Sequence, residues 1–173
     1  MKKISKPKIR GETWLSDLTS YGIVYLQDKT KISELIIRKN ILVCTRCSGI
    51  KSGILGEKNL PKNFYTSKLH LNFYRWCESN KLSYAILSDK YGLFLDYEKR
   101  EFYDLHPSSL LDKDFIVLAD GIKNKMAKCG WDSFLFYNRS PVMSIPYFYM
   151  MLLTGLKIFF ITKLPCLIRK GFF

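Results

Sequence analysis

Four short apolar runs constrain this chain more than anything else in it. They are "NILVCT" (40–45), "SYAILS" (83–88), "DSFLFYN" (132–138) and "KIFFIT" (157–162), all rich in β-branched or aromatic residues. A strand with one face in water alternates apolar and polar positions, whereas a strand covered on both faces does not. The unbroken runs therefore predict central strands with helices on either side. Segments of helical period lie between them. Thr66 or Ser67 is placed to cap a helix running to about Ser79, in which Leu69, Phe73, Trp76 and Cys77 form an apolar face. Ser108 or Ser109 opens another, with Gly130 as its C-terminal stop. Residues 145–161 read as a buried helix, a turn at Thr154 and Gly155, and the last strand. Pro146, Gly155 and Lys157 break that run below the roughly 18–20 clean apolar residues of a membrane span.

Strands alternating with helices predict an α/β fold: a single domain with a short, mostly parallel sheet of about four strands flanked by helices. Its bounds are residues 14–173, with the core in 40–165, preceded by a basic, flexible arm over 1–13. Residues 14–38 hold a strand signal, "GIVYL", and a helix start at Asp28, without an assigned place in the sheet. Residues 48–63 and 96–108 read as loops. In such sheets ligands bind outside the carboxyl ends of the strands. Those ends carry residues 44–51, 88–92 and 138–140, which this topology brings to one edge.

The charge says what kind of partner to expect. The chain has 28 Lys and Arg against 15 Asp and Glu, a net charge of +13 in 173 residues. That excess favours an anionic partner, nucleic acid first, over the alternative of a merely Lys-rich surface. No signal peptide is recognisable, because the basic opening "MKKISKPKIRGE" is followed by no apolar segment. The expected location is the cytoplasm, with the five cysteines reduced and no membrane attachment.

Cys44 and Cys47 form a C-x-x-C pair just after the first apolar run. A zinc centre needs about four soft ligands, but Cys77, Cys129, Cys166, His70 and His106 are scattered. A redox pair needs a helix N-terminus, but the following loop is glycine-rich. The third reading makes Cys47 a nucleophile, in a loop rich in N–H groups and near Lys51, both of which favour thiolate. Against it stands an inert, half-buried loop cysteine, and Cys44 itself reads as a strand residue. No metal and no cofactor are expected. Asp89 and Lys90 follow a strand end, and Tyr91 with Gly92 makes a tight turn; taken singly, each reads as solvated loop.

Four segments, in order, resemble the motifs of a family of small prokaryotic and phage proteins. They are "CSGIK" (47–51), "FYTS" (64–67), "ILSDKYGL" (86–93) and "FYDL" (102–105), matching CSxxK, LYTS, ILSxKYGL and YD over about residues 40–110. That family is similar to the YaaA-type peroxide-stress proteins and to a domain of archaeosine synthase, a tRNA-modifying enzyme with the motif P-C-x3-K-P-Y-x2-S-x2-H. This chain has C-x3-K at Cys47 and Lys51 and S-x2-H at Ser67 and His70, with Arg46 in place of the proline and a longer loop between the halves. The resemblance implies an enzyme acting on a base or nucleotide of DNA or tRNA, of the 7-deazaguanine type. Cys47 would attack a nitrile, His70 would carry protons, and Lys51 would lower the thiol pKa or hold a phosphate. Tyr65, Ser67, Ser88, Lys90, Tyr91, Gly92 and Asp104 would hold the substrate. The alternatives are a non-catalytic DNA-binding stress protein and an enzyme of free nucleotides or bases.

Overall fold

The computed structural model describes residues 3–167. The chain runs α1 (Trp14–Ser20), β1 (Val24–Tyr25), α2 (Lys29–Ile37), β2 (Ile41–Arg46), β3 (Lys58–Asn59), α3 (Pro61–Phe64) and α4 (Lys68–Ser79). It continues with β4 (Tyr84–Ser88), β5 (Gly92–Leu95), β6 (Arg100–Glu101), α5 (Asp112–Cys129), β7 (Ser133–Tyr137), α6 (Ile145–Leu153) and β8 (Lys157–Ile161). The four apolar runs are β2, β4, β7 and β8. Every residue of β4 and β7 is buried, as is all of β2 except Arg46, which is why these strands read as continuous apolar stretches.

The sheet is larger than expected, and it is mixed. It has six strands in the order β1-β8-β7-β2-β4-β5. All neighbours are parallel except β4 and β5. The strand signal in "GIVYL" is β1, a two-residue edge strand beside β8. The other addition, β5, returns antiparallel from a three-residue link, with Ser88 opposite Gly92. Gly92 has φ +67°, and a Cβ there would lie 3.2 Å from Ile122 Cγ1 and 3.4 Å from the Leu118 carbonyl. Both the turn and the close approach of α5 demand glycine. The Ser88 hydroxyl closes the link by accepting the Lys90 and Tyr91 N–H groups at 3.2 and 3.0 Å.

Consecutive strand residues face opposite sides, so Phe136 and Tyr137 show how the layers stack. Phe136 meets Phe148 of α6 edge-on, with ring centroids 5.5 Å apart. Tyr137 stacks on Phe73 of α4 at 6.0 Å. The two helices therefore cover opposite faces. α5 joins α6, where Phe115 packs on Tyr149 at 4.9 Å. Ser67 caps α4 as expected, accepting the His70 N–H. Gly130 ends α5 in the left-handed conformation. That helix begins at Asp112 rather than at Ser108 or Ser109, because Pro107–Ser109 form a separate 3-10 turn. The two expected loops hold β3 and β6, which pair antiparallel. Residues 3–10 lie against the domain: Pro7 and Ile9 are buried, and the Arg10 N–H donates to Asp17 Oδ2 at 2.8 Å. Residues 1–2 of the expected arm and 168–173 of the expected domain lie outside the described residues. Among the described residues, no helix is long and apolar enough to cross a membrane.

Candidate functional site

From β2 the chain moves one way across the sheet, to β4 and β5; it then crosses back to β7 and β8 on the other side. A crevice opens where connections diverge in this way, outside the carboxyl ends of the strands. Here it is a cleft of about 350 Å³. Arg46, Cys47, Ser48 and Gly49 come from the end of β2, Asp89 from the end of β4, and Val142, Met143, Pro146 and Tyr147 from the segment after β7. Leu105, His106, Pro107 and Ser108 form another wall, and Lys6 reaches in from the N-terminal segment.

Cys47 continues the sheet one residue past β2, its N–H donating to the Leu87 carbonyl at 3.0 Å. It is 1% exposed, and its Sγ lies 3.2 Å from the Tyr147 hydroxyl. Burial pushes its thiol up to about 11, and the Asp89 charge adds to the rise; the Tyr147 hydroxyl, the Asp89 N–H and Lys51 pull the other way. The expected thiolate is therefore corrected. Lys51 acts in the anticipated direction, but desolvation outweighs it. Cys44 is fully buried, and burial alone raises its thiol pKa. Among the described residues, no group of three His, Cys, Asp or Glu side chains is disposed to hold a metal ion.

Asp89 is not the solvated loop residue that its place after a strand end predicts. It is 2% exposed, and neither carboxylate oxygen has a hydrogen-bond partner. Burial raises its pKa; the Tyr103 hydroxyl, the Lys51 ammonium, its own N–H and the Cys47 thiol pull the other way, near enough to act on the carboxyl though none of them meets it in hydrogen-bond geometry. A buried acceptor left unpaired costs about 1–3 kcal/mol, and more if charged, so this carboxylate costs the fold stability.

The other motif residues form a hydrogen-bonded layer behind the cleft. His70 is 0% exposed. Its Nε2 donates to the Arg46 carbonyl at 2.6 Å, which leaves Nδ1 to accept from the Ser67 hydroxyl at 2.6 Å. Burial drives its pKa down to about 4. His70 does not line the cleft, and both ring nitrogens are occupied. The expected proton carrier is thus a neutral support for the end of β2. Ser67 is its partner and a helix cap. The Tyr65 and Tyr103 hydroxyls meet at 2.6 Å, and Tyr103 meets the Ser88 hydroxyl at 2.8 Å. Lys51 donates to the Leu105 carbonyl at 3.1 Å and sits over the Tyr103 ring at 4.6 Å. This ties the loop after β2 to the wall opposite.

Four expected contact residues stand apart from the cleft. Tyr91 donates its hydroxyl to the Glu101 carbonyl at 2.8 Å, with the exposed Lys90 above its ring at 5.4 Å. Asp104 is exposed and does not line the cleft. Gly92 serves the hairpin. The residues that sequence reasoning missed are Arg46, Asp89, His106 and Tyr147. Arg46 is held by Asn138, whose Oδ1 accepts its Nε at 3.2 Å while Nδ2 donates to the Ser144 hydroxyl at 2.7 Å. For Asp89 and Asn138 a signal existed: each directly follows a parallel strand at the edge where ligands bind.

No family model, curated protein or solved structure matches this chain.

Proposed function

We propose that the chain acts on a base or nucleotide of nucleic acid, DNA or tRNA, held in this cleft, with Cys47 as the attacking group. The observation that carries the reading is the meeting of the Cys47 thiol and an unbonded, buried carboxylate, Asp89, at the switch point of the sheet. A cleft that retains a polar group at a cost to stability is built for a ligand rather than for packing. The net charge of +13 supports a polyanionic partner. The motif resemblance supports a nitrile-bearing 7-deazaguanine as the target. In that reaction the Sγ–C bond forms as one C≡N π bond breaks. The thiol proton ends on the nitrile nitrogen, giving a thioimidate, which an amine or water then displaces.

The test is intact-protein mass spectrometry after incubation with 7-cyano-7-deazaguanine, followed by peptide mapping. The expected result is a gain of one base on the peptide containing Cys47 and on none containing Cys44. Absence of any adduct removes the covalent reading. The raised thiol pKa then favours the second reading, a non-catalytic DNA-binding protein. That protein would bind duplex DNA equally well when Cys47 is serine, with affinity falling steeply as salt rises.

A further inference from the structure

A thiol that titrates near 11 is almost wholly protonated at neutral pH, so a nucleophile at Cys47 needs somewhere to send its proton. His70 is closed to it, because both ring nitrogens are bonded and the ring lies outside the cleft. The Lys51 ammonium has no lone pair to offer, and it is spent on the Leu105 carbonyl and the Tyr103 ring. The Tyr147 hydroxyl is itself a weaker acid than a free phenol, because burial raises its pKa. Two further basic groups line the cleft: His106 is exposed and bonded through Nδ1 to Ser108 in the wall at 105–108, whereas Asp89 is the one whose charge and N–H act on the Cys47 thiol. The Asp89 carboxylate is 2% exposed with both oxygens open, and it follows β4, the strand that pairs with β2.

We propose that Asp89 takes the proton from Cys47 and returns it to the ligand, so that the pair adds S–H across a polarised multiple bond of a neutral electrophile. The inference rests on the reading of Cys47 as the attacking group. The steps balance without a further reagent. The S–H bond breaks as an Asp89 O–H bond forms, and the Sγ lone pair forms the bond to carbon. The π electrons pass to the electronegative end of the ligand, and Asp89 gives that atom its proton. Both groups finish in their starting charge states, apart from the covalent adduct. The expected ligands are accordingly nitriles and other neutral acceptors, not esters or phosphates whose leaving group departs as an anion. The buried, unbonded resting state has a use in this scheme: the carboxylate becomes a stronger base when no hydrogen bond stabilises its charge.

Two roles for Asp89 predict opposite signs, which makes the proposal testable without the natural substrate. The probe is acrylamide, a small neutral acceptor, at pH 7, with adduct formation on Cys47 followed by mass spectrometry. If Asp89 acts only through its charge, it holds the thiol pKa up; Asp89→Asn then lowers that pKa and speeds the reaction. If Asp89 takes the proton, Asp89→Asn slows it by about a hundredfold, the usual scale of general-base assistance. Reaction of the unaltered protein in heavy water adds a readout that needs no variant to fold. Slower addition at Cys47, but not at the exposed Cys129, is expected. An unchanged or faster rate in Asp89→Asn, or no solvent isotope effect at Cys47, overturns the proposal. Failure here with a nitrile-base adduct on Cys47 removes Asp89 and keeps the attacking thiol. A slowed acrylamide reaction without that adduct keeps the pair and removes the nitrile base.

Discussion

His70 and Asp89 are both buried, both ionisable, and both sit where strands end, yet they are opposites. Each ring nitrogen of His70 has a partner at 2.6 Å; neither oxygen of Asp89 has one. Burial works against charge in both, lowering the pKa of the histidine and raising that of the aspartate. The histidine is satisfied in its neutral form, so it adds to stability and offers no chemistry. The aspartate has no partner in hydrogen-bond geometry, so its charge costs stability. A recognisable motif residue thus proves to be scaffolding, and a turn residue without a reading of its own proves to be the open group.

The largest effect expected from this contrast is at His70. His70→Ala strands the buried Arg46 carbonyl and the Ser67 hydroxyl and leaves a cavity, at a cost of about 3–5 kcal/mol in urea unfolding. A cost near zero would mean that the ring is not part of the frame.

A slightly smaller effect follows from pH. Burial holds the folded His70 at about 4, against the ordinary imidazole value of about 6.5. Above 6.5 the imidazole is neutral in both states and carries no linkage. Between 6.5 and about 4 the unfolded chain takes up a proton that the folded one refuses. Stability is therefore lost on acidification, by about 3 kcal/mol across that window. Asp89 has the reverse sign, since a raised carboxylate pKa favours the folded state as the solution becomes more acidic. Unfolding at pH 7.5 and 4.5 should show the steep loss in the unaltered protein and a flatter profile in His70→Gln. Equal slopes would remove the histidine from the account.

The fold was legible where burial is local to a strand. β2, β4 and β7 are buried on both faces, and β8 buries Ile158, Phe160 and Ile161, so apolar residues run through them. β1 carries its signal in "GIVYL", but it is only two residues long and its Val24 is exposed, so the run alone does not assign it a place in the sheet. β5 was hidden by Gly92, which reads as a turn and is also the first residue of the strand. The site was legible as a place rather than as a set of side chains. The carboxyl ends of β2, β4 and β7 do meet, and Cys47 is there. The burial of Asp89 is not written in "SDKYG", however. It comes from chain far away in sequence: Tyr103 stands close enough to act on the carboxyl, and the wall at 105–108 closes the cleft. Ser67 and His70 look like a catalytic pair by spacing, but the same spacing is that of a helix cap and its third residue.

The smallest effect tests the contrast most directly. Asp89→Asn removes a buried charge that has no partner while keeping the shape of the side chain. Urea unfolding at pH 7 should show a midpoint above that of the unaltered protein with the same slope, a gain of about 1 kcal/mol. Such a gain would mean that the cleft holds its carboxylate open at the expense of the fold, as a ligand site does. A loss of 1 kcal/mol or more would mean that the folded protein itself satisfies Asp89, and the cleft would then have no claim to be built around it.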